Sequence, residues 1–216
     1  MKLVFAGLAA VLALSGVASA QTTSEDETGY VQFVGQSAFG NVTSQSFGAE
    51  GGVKLKPNLS VFAEFGRVRD SAPSSIGPAA QVIASYLGAT QSGKVQFSVR
   101  QPIFFGDIGI KYSFALTNEK LHPYVMAGGG MARVQRDVKF TIDGNDVTDK
   151  LGNYGVTLGS DLAGDLDKPM FVAGGGVVYT VGEKLQFDAG YRFNGIMTEG
   201  TRTNVNRVGL GIGFRF

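Results

Sequence analysis

The stretch Val208-Gly209-Leu210-Gly211-Ile212-Gly213-Phe214-Arg215-Phe216 alternates strictly between large apolar side chains and glycine or arginine. A β-strand has a side-chain period of two, so Val208, Leu210, Ile212, Phe214 and Phe216 share one face, and the other is bare backbone plus Arg215. A dyad repeat of about 9–11 residues is the length that crosses a bilayer as a tilted strand. Taken alone, the stretch also suits an amphipathic strand of a soluble sheet, because half-buried strands alternate in the same way. The rest of the chain has to decide.

Residues 1–20 have the form of a cleaved secretory signal: Lys2 as the positive start, an apolar run from Leu3 to Leu14, and Ala18-Ser19-Ala20 as a small-residue cleavage site. Ser15, Gly16 and Ser19 interrupt the run short of the roughly 20 apolar residues of a membrane helix. Residues 21–28 read as a polar leader and 29–216 as one domain. Without Lys2 the basic and acidic residues balance at eighteen each, so no basic excess points to nucleic acid. With no cysteine, the chain has neither a disulfide framework nor a cysteine-based metal site or nucleophile.

Period-two alternation recurs along the domain. Strands are predicted at about 30–39, 46–55, 59–65, 95–114, 123–139, 170–181, 185–194 and 205–216. The fourth is too long for one membrane crossing, and its polar residues change parity: Gln96, Ser98 and Arg100 are even, whereas Asp107, Lys111 and Ser113 are odd. A bulge at Gln101-Pro102 is the expected cause, since proline cannot donate to the ladder. Glycine stands at 32 of 216 residues, an excess that a narrow closed barrel can use where its interior is crowded.

The connections alternate between long and short. Residues 70–93 and 141–168 are loops, and the others are turns. In the first loop Val82, Ile83, Tyr86 and Leu87 fall at helical spacing, which predicts a short amphipathic helix packed as a lid on the barrel mouth. The second carries Asp143, Asp146, Asp149, Asp161, Asp165 and Asp167. It lacks the ligand spacing and terminal glutamate of an EF-hand, so a solvated acidic tip is expected and no metal site or cofactor. The fold expected is all-β: an eight-stranded antiparallel up-and-down transmembrane β-barrel with short periplasmic turns and longer extracellular loops.

Ionisable residues at mid-strand on the polar face indicate that this face looks into a lumen, where they can pair. The expected network comprises Glu50, Lys54, Glu64, Asp107, Lys111, Arg133, Asp188, Arg192, Arg207 and Arg215. Tyr112, Phe114, Tyr124, Tyr191, Phe214 and Phe216 are expected in interfacial girdles on the apolar face.

With the export signal and eight strands, the stretch Pro123-Tyr124-Val125-Met126-Ala127-Gly128-Gly129-Gly130 and the terminal Gly213-Phe214-Arg215-Phe216 resemble the superfamily of small outer-membrane β-barrels. That superfamily includes the transmembrane domain of outer membrane protein A and the opacity-type surface proteins. The resemblance implies residence in the bacterial outer membrane among lipid and lipopolysaccharide, and insertion by the barrel-assembly machinery. Phe214 and Phe216 would serve as the assembly signal. The chain stops where outer membrane protein A continues into a peptidoglycan-binding domain, so that role is not carried over.

Some barrels of this kind are enzymes that use histidine at the outer rim. The one histidine, His122, is expected in a periplasmic turn, and no Ser/His/Asp constellation can be assembled, so no enzymatic role is expected. Eight strands leave an interior that side chains just fill. Two functional classes remain. One is a plugged structural or surface-interaction barrel whose external loops meet host, phage or another surface ligand. The other is a narrow gated channel or conduit for small ions or apolar molecules.

Overall fold

The computed structural model describes residues 28–118, 120–159, 162–198 and 201–216. The signal and most of the leader, with Asp161 of the acidic loop, lie outside the described residues. The elements are β1 (Gly29–Phe39), β2 (Ser44–Lys56), β3 (Leu59–Val68), α1 (Ile76–Thr90), β4 (Val95–Arg100), β5 (Ile103–Ser113), β6 (Leu121–Ile142), β7 (Asn145–Asp146), a 3-10 helix (Thr148–Tyr154), β8 (Gly164–Val181), β9 (Leu185–Thr198) and β10 (Thr201–Arg215).

Eight strands form a closed antiparallel ring in the order β1, β2, β3, β5, β6, β8, β9, β10, and β10 returns to pair with β1. The seam runs in register from Tyr30↔Arg215 to Phe39↔Asn206. At its foot the backbone N–H groups of Thr28 and Gly29 donate to the Phe216 carbonyl, at 2.6 and 2.9 Å. Closure leaves no edge in the eight-stranded ring, which is what permits a sheet to stand in hydrocarbon.

The outer surface is apolar. Phe33, Phe47, Ile108, Leu210 and Phe214 are each more than half exposed, and all lie on outward positions. Val208, Ile212 and Phe216 share the outward face of β10 with Leu210 and Phe214, as expected. So many exposed large side chains in one band would be untenable in water. Among the described residues no helix is long and apolar enough to cross a membrane, and the apolar band lies on the strands.

The parity change near Pro102 has a different cause from the one anticipated. The pairing with β6 runs without a shift from Val95↔Ile142 and Arg100↔Asp137 in β4 to Ile103↔Val134 in β5, so there is no bulge. The inward face simply changes its contents. At membrane level it holds Asp107 and Lys111, and above the membrane it holds Val95, Phe97 and Val99. There α1 covers it, so apolar residues turn inward and Gln96, Ser98 and Arg100 turn to water.

This upper part has a core of its own. Ile76, Ala80, Ala84 and Leu87 of α1 pack with Val138 and Phe140 of β6 and with Val147, Leu151 and Leu162 of the second long connection. The buried positions recur at four, four and three residues, the stripe of an amphipathic helix. The helix is longer than expected, and its buried face is different. Leu87 is buried and Ile83 partly so, but Val82 is 71% and Tyr86 48% exposed. The barrel strands β6 and β8 also extend further than predicted. As a result Asp165 and Asp167 belong to β8 and not to the loop.

Candidate functional site

Inside the barrel three carboxylates stand side by side. Glu50 on β2 is the register partner of Glu64 on β3, and Glu64 is the partner of Asp107 on β5. Like charges directly opposite in a sheet repel. They are held by cations reaching across the lumen from β9 and β10, and by Lys111 two turns of the pleat further down β5.

Arg207 grips Glu64 with two parallel hydrogen bonds, Nη1 to Oε1 at 2.7 Å and Nη2 to Oε2 at 3.1 Å. It also donates to Asn194 Oδ1 and Gln36 Oε1, and its guanidinium lies 4.3 Å from the centre of the Phe105 ring. Arg192 bridges three acids as ion pairs, with Glu50 at 2.7 Å, Glu64 at 2.8 Å and Asp188 at 3.7 Å. Lys111 Nζ donates to Glu50 Oε1 at 2.5 Å and sits over the Tyr30 and Tyr124 rings. Asp188 accepts from Gln32 Nε2 and the Tyr124 hydroxyl. Every one of these ionised residues is at most 4% exposed. Pairs desolvated to this degree hold only because each charge has a close partner of opposite sign.

Asp107 is the exception. Neither of its oxygens accepts a hydrogen bond among the described residues, although the residue is buried. Among the described residues the buried set is Glu50, Glu64, Asp107 and Asp188 against Lys111, Arg192 and Arg207, one cation short of balance.

Three residues expected in this network are elsewhere. Arg133 points outward near the outer rim, where it forms a bidentate pair with Asp167, both bonds at 2.7 Å. Its position is odd on β6, and the inward residues Ala132 and Val134 are even. Lys54 and Arg215 do face inward, but at the tight-turn end, where both line an open cavity. Tyr124, expected in a girdle, is inside and 2% exposed. No sequence signal separated it from the outward tyrosines, because Pro123-Tyr124-Val125-Met126 offers no polar residue to set the phase. The other anticipated girdle residues are exposed. His122 lies within β6, at its tight-turn end, and not in a turn.

The glycines explain how Tyr124 fits. Gly176 is its register partner on β8, and Gly190 on β9 is the partner of Gly176. A Cβ at either would come within 3 Å of the Tyr124 hydroxyl, at 2.9 and 2.6 Å. The second triple glycine therefore contributes part of a seat for an aromatic ring.

Above the charges an apolar layer of Ala38, Val68, Ile103, Phe105, Ala132, Val134, Met170, Ile196 and Val205 fills the lumen toward the long-loop end. Below them Phe62, Met126 and Val172 pack beside Tyr124. In the external part Asp143 Oδ1 accepts from the Lys94 N–H at 2.8 Å and Asp146 Oδ1 accepts from Thr148. Asp149 lies in the first turn of the 3-10 helix. Among the described residues no cluster of histidine and acidic side chains is arranged to hold a metal.

Comparison with solved structures gives the same architecture. Neisserial surface protein A aligns over 91% of this chain and all of its own, with 17% identity and a TM-score of 0.54. The N-terminal β-barrel domain of Pseudomonas aeruginosa OprF aligns over 88% of this chain and 98% of its own, with 17% identity and a TM-score of 0.50. A major outer membrane protein from Thermus thermophilus aligns over 88% of this chain and all of its own, with 10% identity and a TM-score of 0.56. No family model matches the sequence, and no match is found among curated proteins. The fold of this chain, an eight-stranded antiparallel barrel, is that of these outer-membrane proteins.

Proposed function

We propose that this is an integral protein of the bacterial outer membrane whose lumen is closed to solutes and whose part beyond the membrane meets surface partners. The observation that carries the first half is the Glu50, Glu64, Arg192 and Arg207 cluster, lying beneath the apolar layer around Phe105 and Ile196. A solute would have to separate paired, desolvated charges and displace packed side chains in succession. The second half is supported by the raised platform of α1 and the β4–β6 extension. It has its own core, so it presents a stiff surface, with Val82 and Tyr86 exposed on it.

The reading is non-enzymatic. His122, the one histidine, lies in β6 at the opposite end from the platform. Single-channel recording in planar bilayers tests the closed lumen: purified protein should give no steady conductance. Steady openings would overturn this reading in favour of the narrow gated channel.

A further inference from the structure

In the platform, β4 stands at the end of the strand order and pairs with β6 on one side only. On the other side β3, the neighbour of β5, has already ended at Val68. The bonds at the two ends of β4 fix which way its backbone groups point. The Asp143 N–H donates to the Lys94 carbonyl at 3.0 Å and the Gln135 N–H to the Pro102 carbonyl at 2.9 Å. In an antiparallel ladder such pairs recur at every second residue, so Gln96, Ser98 and Arg100 are the residues bonded to β6. Phe140, the register partner of Phe97, donates its N–H away from β4, to Thr148 Oγ1 at 3.0 Å. The amides and carbonyls of Val95, Phe97 and Val99 therefore point to the other edge.

At the foot of that edge the next residue in phase is engaged. Gln101 donates its N–H to Asp70 Oδ1 at 2.9 Å, and its carbonyl accepts from the Ser71 N–H at 2.9 Å. Higher up, among the described residues, no strand or loop backbone bonds to Val95, Phe97 or Val99 on this side. Helix α1 packs with the side chains of these three residues and offers the edge no strand. The usual guards of an open edge are missing as well: Val95–Arg100 contains no proline, no bulge and no charge on its inward face.

An edge of this kind is a template for an added strand, with main-chain hydrogen bonds giving affinity and alternate side chains giving selectivity. Lys94 and Arg100 stand at its two ends, with the neutral Gln96 and Ser98 between them on the outward face. The neighbouring acids are engaged or lie beyond the edge. Asp70 accepts from Gln101 and Ala72, Asp143 accepts from the Lys94 N–H, and Asp137 belongs to β6. A second copy of this chain would meet repulsion in either direction: antiparallel pairing about Phe97 sets Arg100 beside Lys94, and parallel pairing sets Arg100 beside Arg100. We propose that β4 takes up an extended acidic segment of another polypeptide as an added strand. The proposal rests on the reading that the platform meets surface partners, and it names the kind of partner.

The test is amide hydrogen exchange on the whole barrel in lipid nanodiscs. The probe is a capped synthetic peptide that alternates valine with glutamate and threonine, and the control carries lysine in place of glutamate. In the free protein the amides of Val95, Phe97 and Val99 should exchange at least about tenfold faster than those of Gln96, Ser98 and Arg100. Saturating acidic peptide should slow the first set about tenfold and leave the second unchanged. Methylating alternate peptide nitrogens should abolish this in one phase and spare it in the other, because an added strand presents every second amide to β4. Arg100→Gln should weaken binding by up to about fivefold. Val99→Pro removes an amide that β6 does not use, and should weaken binding about tenfold while Ser98 keeps its slow exchange. Should that variant not fold, the methylated peptides decide the matter on the unaltered protein.

Slow exchange of Val95, Phe97 and Val99 in the free protein would show an edge already covered and would overturn the proposal. Protection that rises with protein concentration alone would assign the edge to a second copy, with the same consequence. So would absence of protection by the acidic peptide, equal protection by the lysine peptide, or equal loss in both methylation phases. Peptide effects confined to α1 around Val82 and Tyr86 would sink the added strand and leave the surface-partner reading standing.

Discussion

Arg207 on β10 holds Glu64 on β3 through a fork of two hydrogen bonds, 2.7 and 3.1 Å, across 143 residues of sequence and the width of the barrel. Arg192 meets the same carboxylate from β9 at 2.8 Å. Glu64 is therefore the point where β3 is tied through the interior to two strands far from it in sequence.

Glu64→Ala removes the partner of two buried guanidinium groups at once. The barrel should lose about 3–5 kcal/mol, the cost of leaving a buried charge without its counter-ion. Urea unfolding in lipid vesicles measures it. Replacing both residues, Glu64→Leu with Arg207→Leu, should cost less than the sum of the single variants. The external pair supplies the control: Arg133→Gln exposes no buried charge and should leave the unfolding midpoint unchanged. A midpoint shift as large as that of Glu64→Ala would contradict the distinction drawn between the two pairs.

The seat of Tyr124 predicts a steric effect. Gly190→Val would place side-chain atoms where the Tyr124 hydroxyl now lies, at 2.6 Å from a bare Cβ. The ring must leave, and with it the hydrogen bonds to Asp188 at 2.9 and 3.1 Å. The folded fraction on heat-modifiability gels should fall sharply. Adding Tyr124→Phe, which keeps the clash at the ring edge but gives up the hydroxyl, should restore only part of it. Normal yields of folded Gly190→Val would show that the ring is not seated as described.

Platform and barrel should separate under proteolysis. Leu87→Ala opens a cavity in the upper core and should destabilise the packing of α1 by about 2–5 kcal/mol, exposing residues 70–93 to cleavage while the barrel stays folded. Val82→Ala, on the exposed face, should change stability by no more than about 0.5 kcal/mol. Equal sensitivity of the two variants would mean that the buried face of α1 is assigned wrongly.

The acidic connection should respond to pH in one place. The Thr148 hydroxyl, at 2.6 Å, and then its amide, at 2.9 Å, hold the Asp146 carboxyl below the ordinary aspartate range. A group lowered in this way stabilises its fold above its ordinary unfolded value of about 3.9, and the contribution is lost as pH falls through the lowered folded value. Protection of the Thr148 amide from hydrogen exchange, corrected for intrinsic rate, should hold at neutral pH and fall below about pH 3.9. Constant protection through that range would count against the linkage.

Much of the architecture was written in the residue pattern. Alternation with a period of two in Phe47 to Leu55, Leu185 to Phe193 and Val208 to Phe216 specifies strands and their two faces without reference to partners. The spacing of the long loops follows from the same pattern. The buried acids and arginines were legible too, because a mid-strand charge opposite a run of large apolar residues has few places to go. At one place the pattern misled because a neighbouring element had changed what a face touches. The parity change at Gln101-Pro102 records the arrival of α1 over β4, and not a bulge.

The sequence by itself determined the eight strands of the ring and the phase of those in which apolar and polar residues alternate, since these follow from side-chain direction along one chain. Only the tertiary structure decided which charges meet, because pairing across a lumen depends on the register and closure of strands far apart in sequence. Closure set Glu50, Glu64 and Asp107 in one row, brought Arg192 and Arg207 against it, and left Arg133 outside with Asp167. It also seated Tyr124 over glycines from two other strands, a contact that no local periodicity encodes.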